Sequence, residues 1–145
     1  MMQTIFTIPG DPFGKERPRA KLVGSRIIMY TPKKTIDYEE FVRRCFAEAG
    51  GKMISGPVRL SLSMYFAMPQ SWSKKKLREM AYTGCEKKPD IDNVIKIIGD
   101  ALNGVAYKDD SSIVSVAATK QWAADGCVVV SLESAGDGVN DNDEQ

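Results

Sequence analysis

DIDNVIKIIGDALN, residues 90–103, is the segment around which we expect the molecule to be organised. Successive residues of a helix advance by about 100°, and at that spacing the polar residues from Asp92 onward, with one glycine, fall in one narrow stripe, while apolar side chains take the rest of the circumference. Gly104 follows as a helix-terminating residue. The segment therefore predicts a helix that is buried on most sides. Its polar stripe consists of Asp92, Asn93, Lys96, Gly99, Asp100 and Asn103.

The segments on either side of this helix predict an α+β domain. Apolar residues recur at helical spacing over 33–49 and stop at a Gly-Gly pair, which predicts a long helix. Residues 58–66 alternate strictly between apolar and polar, which predicts a strand with one buried face. The expected fold class is α+β, a single domain whose mixed or antiparallel sheet packs against two main helices. Further candidates are a helix at 73–80, strands at 3–8, 26–30, 113–122 and 127–132, and a loop at 11–24.

The chain has 145 residues and a mass of 16.0 kDa, which suits one domain with one core. We expect residues 1–133 to form this domain and residues 134–145 to be an acidic, disordered tail. The 20 Lys and Arg residues against 19 Asp and Glu residues give a net charge of +1. Four of the acids lie in the tail, so residues 1–133 carry +5 and the domain is more basic than the whole chain.

The sequence contains no histidine, which excludes Ser-His-Asp and Cys-His hydrolases, His-metal nucleases and zinc sites that use imidazole. Cys45, Cys85 and Cys127 are scattered, so we expect small core residues in a reducing compartment and neither a disulfide framework nor a thiolate metal cluster. No apolar run approaches the roughly 18 residues of a membrane span, and the first residues lack the pattern of a secretory signal. The expected location is the cytoplasm, with no membrane partner.

Acidic residues cluster along and beside the polar stripe. Asp92 and Lys96 lie one helical turn apart, Asp90 lies at the start of the helix, and Asp109-Asp110 follow after a short connection. Carboxylates that converge at the edge of a buried helix repel one another at low effective dielectric, and a divalent cation is the simplest remedy. Because only oxygen ligands are available, the fitting metal is Mg²⁺, with Mn²⁺ as the alternative.

Each of these residues also has a purely structural interpretation. Asp90 follows a proline and suits the N-cap position of the helix. Asp92 and Lys96 can form an (i, i+4) pair worth a few tenths of a kcal/mol on a solvated face. Asp109-Asp110 before two serines is typical of a turn. Only the combination favours a metal site, because a mostly buried helix concentrates its polar side chains beside two further acidic positions.

Two basic segments are predicted to contact nucleic-acid phosphates. Residues 14–34 hold seven bases against one acid, and residues 71–88 hold six bases against two acids. The alternative for the second segment is a solvated lysine face. Trp72 in this segment either stacks on a base or anchors its loop, and we favour the role as an anchor. The candidate DNA-binding residues are Lys15, Arg17, Arg19, Lys33, Lys34, Lys74, Lys75 and Lys76.

KPDIDNVIKIIGDALNGVAYKDDSSI, residues 88–113, resembles the RusA family of Holliday junction resolvases, and the likeness extends more loosely to residues 17–19 and 30–34. The resemblance implies a RusA-like fold and a homodimeric, Mg²⁺-dependent endodeoxyribonuclease. Such an enzyme resolves four-way DNA junctions by paired symmetric nicks and is expected to leave 5′-phosphate and 3′-hydroxyl ends. The resemblance also implies that the three acids of the catalytic set bind the metal. That catalytic set falls on Asp90, Asp92, Lys96 and Asp110.

Two other functions stay open on the sequence. One is a Mg²⁺-dependent phosphohydrolase that acts on nucleotides, which would not need the two basic segments. The other is a non-catalytic, structure-selective DNA-binding module in which the carboxylates serve as caps and turns. Such a module would bind DNA equally well with or without Mg²⁺ and would never nick it.

Overall fold

The computed structural model describes residues 2–136. The strands are β1 (Gln3–Pro9), β2 (Arg19–Val23), β3 (Arg26–Tyr30), β4 (Val58–Ala67), β5 (Ile113–Ala123) and β6 (Cys127–Ser134). The helices are α1 (Lys33–Glu48), α2 (Lys74–Met80) and α3 (Ile91–Leu102), and a 3₁₀ turn covers Asp110–Ser112. Among residues 2–136, no helix combines the length and the apolarity that crossing a membrane requires.

Four strands form one mixed sheet in the order β1-β6-β4-β5. β6 pairs antiparallel with both β1 and β4, whereas β4 and β5 are parallel. A parallel pair needs a long crossover connection, and the stretch that contains α2 and α3 supplies it. The predicted alternation of β4 is confirmed, because one set of its side chains is buried. These are Val58, Leu60, Leu62, Met64 and Phe66.

α1 and α3 contact each other, and they pack against the sheet with α1 next to β1 and α3 next to β5. The apolar side of α3 lies in the core, where Val94, Ile97, Ile98 and Leu102 have no exposed surface. Burying one such side chain is worth about 1.5–3 kcal/mol, so α3 is firmly held. Of the three cysteines predicted as core residues, Cys85 is a free thiol in the same core, whereas Cys45 and Cys127 are free thiols that are only partly buried. The α+β fold class, with two main helices on a mixed sheet in one domain, is confirmed.

The predicted loop at 11–24 is wrong for residues 19–23, which form β2. Within residues 2–136, β2 pairs with β3 alone, and the two make a separate hairpin around Gly24-Ser25. Gly24 has a φ of +63°, the left-handed conformation that tight hairpin turns require. The strand escapes prediction because its bases and the neighbouring Pro18 are typical of loops, and because neither of its faces is buried.

The last strand also differs from the prediction. β6 continues to Ser134, so the predicted start of the acidic tail falls inside a strand. Ser134 is buried, and its backbone N–H donates to the Met2 carbonyl at 2.9 Å. The prediction of disorder is also wrong for Ala135, whose backbone N–H donates to the Pro57 carbonyl at 2.8 Å. Residues 137–145 of the predicted tail lie outside the described residues.

Candidate active site and nucleic-acid interface

Asp90 occupies the N-cap position of α3, but its side chain does not act as a cap. The Lys88 ammonium instead donates to Asp90 Oδ1 at 2.8 Å. This hydrogen bond and charge, with a further contribution from Lys120, hold the pKa of Asp90 below its usual range. Both Lys88 and Asp90 are exposed. The Asp90 carboxylate is therefore ionised at the surface. Its interpretation as a helix cap is not supported, because its side chain accepts no hydrogen bond from a backbone N–H of α3.

Asp92 and Lys96 lie on the polar stripe of α3, as predicted, and both side chains are exposed. Within residues 2–136, neither side chain forms an ion pair, although they are one turn apart. The structure therefore does not support the interpretation of Asp92 and Lys96 as a surface ion pair. The carboxylate and the ammonium both face solvent from a helix whose other side is locked in the core.

The neighbouring acids Asp109 and Asp110 differ in their contacts. Asp109 Oδ2 accepts hydrogen bonds from the Ser111 hydroxyl at 2.7 Å and from the Ser111 backbone N–H at 3.2 Å. These bonds cap the 3₁₀ turn and hold the pKa of Asp109 below its usual range. Asp110 is exposed, and slight desolvation, followed by the charges of Asp100 and Asp109, raises its pKa, while Lys96 opposes the shift. Asp109 is thus engaged in a turn, and Asp110 faces other carboxylates.

Lys15 forms an ion-pair network that the sequence pattern does not predict. Its ammonium lies 3.1 Å from Glu39 Oε2 and 3.3 Å from Asp100 Oδ2, and its side chain is only 20% exposed. Burial lowers the pKa of Lys15, but Glu39 and Asp100 together outweigh this effect and raise the pKa. The Lys15 backbone N–H also donates to the Asn93 carbonyl at 2.9 Å. Lys15 therefore joins its loop to α1 and α3, whereas the sequence predicted a phosphate contact.

Tyr107 fixes the connection between α3 and the acid pair. It is fully buried, and its hydroxyl donates to the Gly99 carbonyl. Burial, with smaller contributions from Asp110 and Asp100, raises the pKa of Tyr107, so the phenol stays protonated. The Gly104 backbone N–H donates to the Tyr107 carbonyl at 2.9 Å. These bonds set where Asp110 emerges beside the helix.

The predicted metal ligands do not form a closed cage. In the described part of the chain, no three acidic or cysteine side chains are close enough to make a ready-made metal site. Asp110 faces the stripe near Lys96 and Asp100, while Asp90 and Asp92 lie nearer the amino end of α3. Mg²⁺ commonly uses one or two carboxylates and completes its coordination with water and substrate phosphate. Exposed carboxylates of this kind therefore fit the ion chemically.

The basic residues around the hairpin lie largely at the surface. Arg17 and Lys34 are exposed. Arg19 pairs with Glu16 at 3.3 Å and keeps 64% of its side chain exposed, and Lys33 pairs with Asp37 at 2.9 Å. Exposed pairs of this type contribute little to stability because solvent screens them, so a phosphate can replace the acid at little cost.

The second basic segment forms α2 and a groove beside it. Lys74, Lys75 and Lys76 are exposed, and the Lys76 ammonium lies 4.6 Å from the centre of the Trp72 ring. Trp72 in turn packs edge-on against Trp122, with 5.0 Å between ring centres, which supports its predicted role as an anchor. No sequence pattern singled out Trp122 for this role. A groove of about 550 Å³ is lined by Trp72, Lys76, Met80, Gly84, Glu86, Lys87 and Trp122.

Comparison with known proteins gives two results. The family model described as Endodeoxyribonuclease RusA matches residues 9–133, which include the acids, both basic segments and the hairpin. The chain is also 33% identical over 132 residues to "Uncharacterized protein YqaN" of Bacillus subtilis (strain 168). That alignment covers 88% of this chain and 93% of the relative.

Proposed function

The chain belongs to the RusA endodeoxyribonuclease family, and on that premise we propose that it resolves four-way DNA junctions by paired symmetric nicks in a divalent-metal-dependent reaction. One observation carries the proposal. Asp90, Asp92 and Lys96 are exposed on a helix that the core holds in place, Asp110 reaches the same polar stripe, and basic surfaces lie on the flanking segments. A rigid helix keeps these groups at fixed positions relative to a bound phosphate.

Asp90, Asp92 and Asp110 would hold Mg²⁺, or Mn²⁺ in its place, and binding would draw the three carboxylates closer together than they lie in the described chain. A bound cation of this kind lowers the pKa of water and neutralises negative charge on a phosphate. Asp110 suits this role because slight desolvation and two neighbouring carboxylates penalise its charge, and a cation relieves that penalty. Asp109 suits it less, since its Oδ2 already accepts two hydrogen bonds from Ser111.

Lys96 would act on the phosphate directly. Its ammonium is exposed, and it extends from the stripe between Asp92 and Asp100. A positive charge at this point stabilises the negative charge that develops on the phosphate oxygens during hydrolysis. Lys88 has a different role, because its hydrogen bond keeps Asp90 ionised before any substrate is bound.

A homodimer would match the symmetry of the substrate. A four-way junction has two-fold symmetry, so matching nicks need two active sites related by a two-fold axis. We expect a particle of about 32 kDa, twice the 16.0 kDa chain, in equilibrium sedimentation at micromolar concentration. An active protein that stays monomeric under these conditions would contradict this part of the proposal.

The direct experiment uses three substrates: a synthetic four-way junction, a duplex of the same sequence and a free nucleotide, each with Mg²⁺, with Mn²⁺ and with EDTA. We expect nicks on the junction only, with 5′-phosphate and 3′-hydroxyl ends, and no nicks in EDTA. Nicks that persist in EDTA would overturn the metal requirement. Hydrolysis of the nucleotide alone would indicate a phosphohydrolase, and binding without nicks would indicate a DNA-binding module.

The two adjacent acids provide a matched pair of variants. Asp110→Asn should lower the junction cleavage rate by about 100-fold or more, because it removes a ligand charge. Asp109→Asn should leave cleavage near the wild-type rate, because an amide oxygen still accepts the hydrogen bonds from Ser111. Equal losses of cleavage rate in the two variants would show that the acid pair supports cleavage by shaping the turn and not by a specific role of Asp110.

A further inference from the structure

The hairpin arm, defined as residues 19–30, stands apart from the rest of the fold. β2 and β3 form their own two-stranded sheet, and all ten of their residues are exposed. An isolated two-stranded hairpin is at best marginally stable in water, so a surface that covers the arm would also order it. Its strands are five residues long, which gives a reach of about 17 Å.

The two faces of the hairpin arm differ in chemistry. Residues that are paired across the hairpin point to the same side, so Ala20, Leu22, Ile27 and Met29 share one face. This face is wholly apolar, and Leu22 and Ile27 at its outer end are 72% and 74% exposed. The opposite face carries the bases. It consists of Arg19, Lys21, Val23, Arg26, Ile28 and Tyr30.

The root of the arm lies beside the candidate active site. Gly14 lies so close to α3 that an added Cβ would be 2.7 Å from the Pro89 Cβ and 3.2 Å from the Asn93 Cβ. Lys15 adds its backbone bond to Asn93 and its ion pairs to Glu39 and Asp100. The loop that leads into β2 is therefore fastened next to Asp92, and the arm projects from that point.

Charge identifies the partner that would cover the apolar face. Residues 17–34, the arm and its two ends, hold six bases and no acid. Two copies of this segment would repel each other, and four apolar side chains are few against the about 20–30 residues per side of a standard protein interface. A nucleic acid can bind both faces of the hairpin arm. Its phosphates attract the bases, and Leu, Ile and Met are residue types that proteins insert against unstacked base pairs.

We propose that the hairpin arm binds the branch point of the DNA junction, with its apolar face covering the base pairs exposed there and its basic face contacting the flanking phosphates. The proposal rests on the proposed function, because it assigns the recognition of branched DNA by that same site to the arm. The arm thus recognises the branch structure, and the acids on and beside α3 act on the strand that the root of the arm places next to them.

The test compares the variant Leu22→Ser/Ile27→Ser with the wild type in EDTA, where cleavage does not interfere. The ligands are a four-way junction with 2-aminopurine at the branch point and a duplex with the same label. We expect the variant to bind the junction at least about tenfold more weakly and to change the branch-point fluorescence less. Its duplex affinity should stay within about twofold, because the phosphate contacts remain.

Two further variants make the result specific. Ile5→Ser replaces a residue that is 59% exposed on β1, away from the arm, and should leave junction binding unchanged. Leu22→Met/Ile27→Met keeps an apolar face and should restore binding. Sedimentation of the serine variant tests whether a second copy of the chain, and not DNA, covers the arm. A change from dimer to monomer would show that the arm binds a second copy and would overturn the proposal.

The failures of the two proposals can be told apart. A wild type that cuts junctions, combined with a serine variant of unchanged preference for junctions over duplex, overturns the role of the arm alone. A wild type that neither prefers nor cuts junctions overturns the proposed function and the role of the arm together. If the serine variant does not fold, the 2-aminopurine signal of the wild-type complex decides, because an unaltered signal means that nothing covers the exposed bases.

Discussion

Helix α3 and the hairpin arm have similar apolar content and opposite surroundings. In α3, Ile97 and Ile98 are fully buried, whereas Leu22 and Ile27 of the arm are about three-quarters exposed. The apolar residues of α3 pack against α1 and β5 and thereby fix the positions of the acids on its polar stripe. The apolar residues of the arm have no such role within the described chain. The apolar residues of α3 therefore stabilise the fold, and those of the arm are available to a partner.

Loss of a charge on the polar stripe of α3 should lower activity the most. Asp92→Asn keeps the shape of the side chain and removes its charge, so the junction cleavage rate should fall by about 100-fold or more while the melting temperature stays unchanged. Junction affinity in EDTA should equal the wild-type value or exceed it, because a charge that repels the DNA backbone is gone.

Asp125→Asn is the matched control for Asp92→Asn, since Asp125 is exposed in the turn between β5 and β6. It should change neither rate nor affinity. Cleavage by the Asp92 variant at a near wild-type rate would end the catalytic interpretation. A joint fall of stability and binding would make Asp92 a structural acid.

The difference in burial is tested by one substitution in each region. Ile98→Ala should lower the free energy of unfolding by about 2–5 kcal/mol, because it leaves a cavity in the core. Ile27→Ala should change it by less than about 0.5 kcal/mol, because that side chain is 74% exposed. Chemical denaturation measures both values. Similar losses for the two variants would show that the arm is packed in solution.

A smaller effect is expected from the arginines at the root of the arm. Arg17→Ala/Arg19→Ala should weaken junction binding and flatten its dependence on salt, by roughly one unit of slope for each phosphate that the two arginines neutralise in the wild type. Titrations at several salt concentrations in EDTA measure the slope. If the slope does not change, these arginines face solvent or another protein.

The smallest effect concerns the link between the two regions. Lys15→Met should lower the free energy of unfolding by about 1 kcal/mol at neutral pH, because it breaks the ion pairs to Glu39 and Asp100. Despite burial, these acids raise the pKa of Lys15 above 10.5. The stabilisation is therefore complete below about pH 10.5 and is lost as the pH rises through the folded-state pKa.

Denaturation of the wild type and the Lys15 variant at pH 7 and at about pH 11–12 measures this difference. Lys34→Met, at an exposed position on α1, is the control and should have no such pH dependence. A difference between wild type and the Lys15 variant that persists unchanged at high pH would show that the methylene chain, and not the charge, stabilises the loop.

Local patterns predicted the elements that carry the candidate site. The predicted ends of α1 and α3 agree with the structure within one residue, and the exposed stripe with Asp92 and Lys96 follows from the helical period alone. Contacts between distant residues were not predictable in this way. The burial of Lys15 depends on Glu39 and Asp100, which lie on two different helices.

Residue chemistry and periodicity are properties of short segments, so the sequence was enough to exclude histidine chemistry, to place Asp92 on the polar stripe of a buried helix and to identify the basic segments. The sequence could not show which of Asp109 and Asp110 lacks a hydrogen-bond partner within the described residues, because this depends on the hydrogen bonds that form once the chain has folded into the turn. Asp109 bonds to Ser111, and Asp110 emerges beside Asp100 because buried Tyr107 holds the connection. The exposure of the hairpin arm likewise arises from tertiary packing, since nothing in the described chain covers its apolar face.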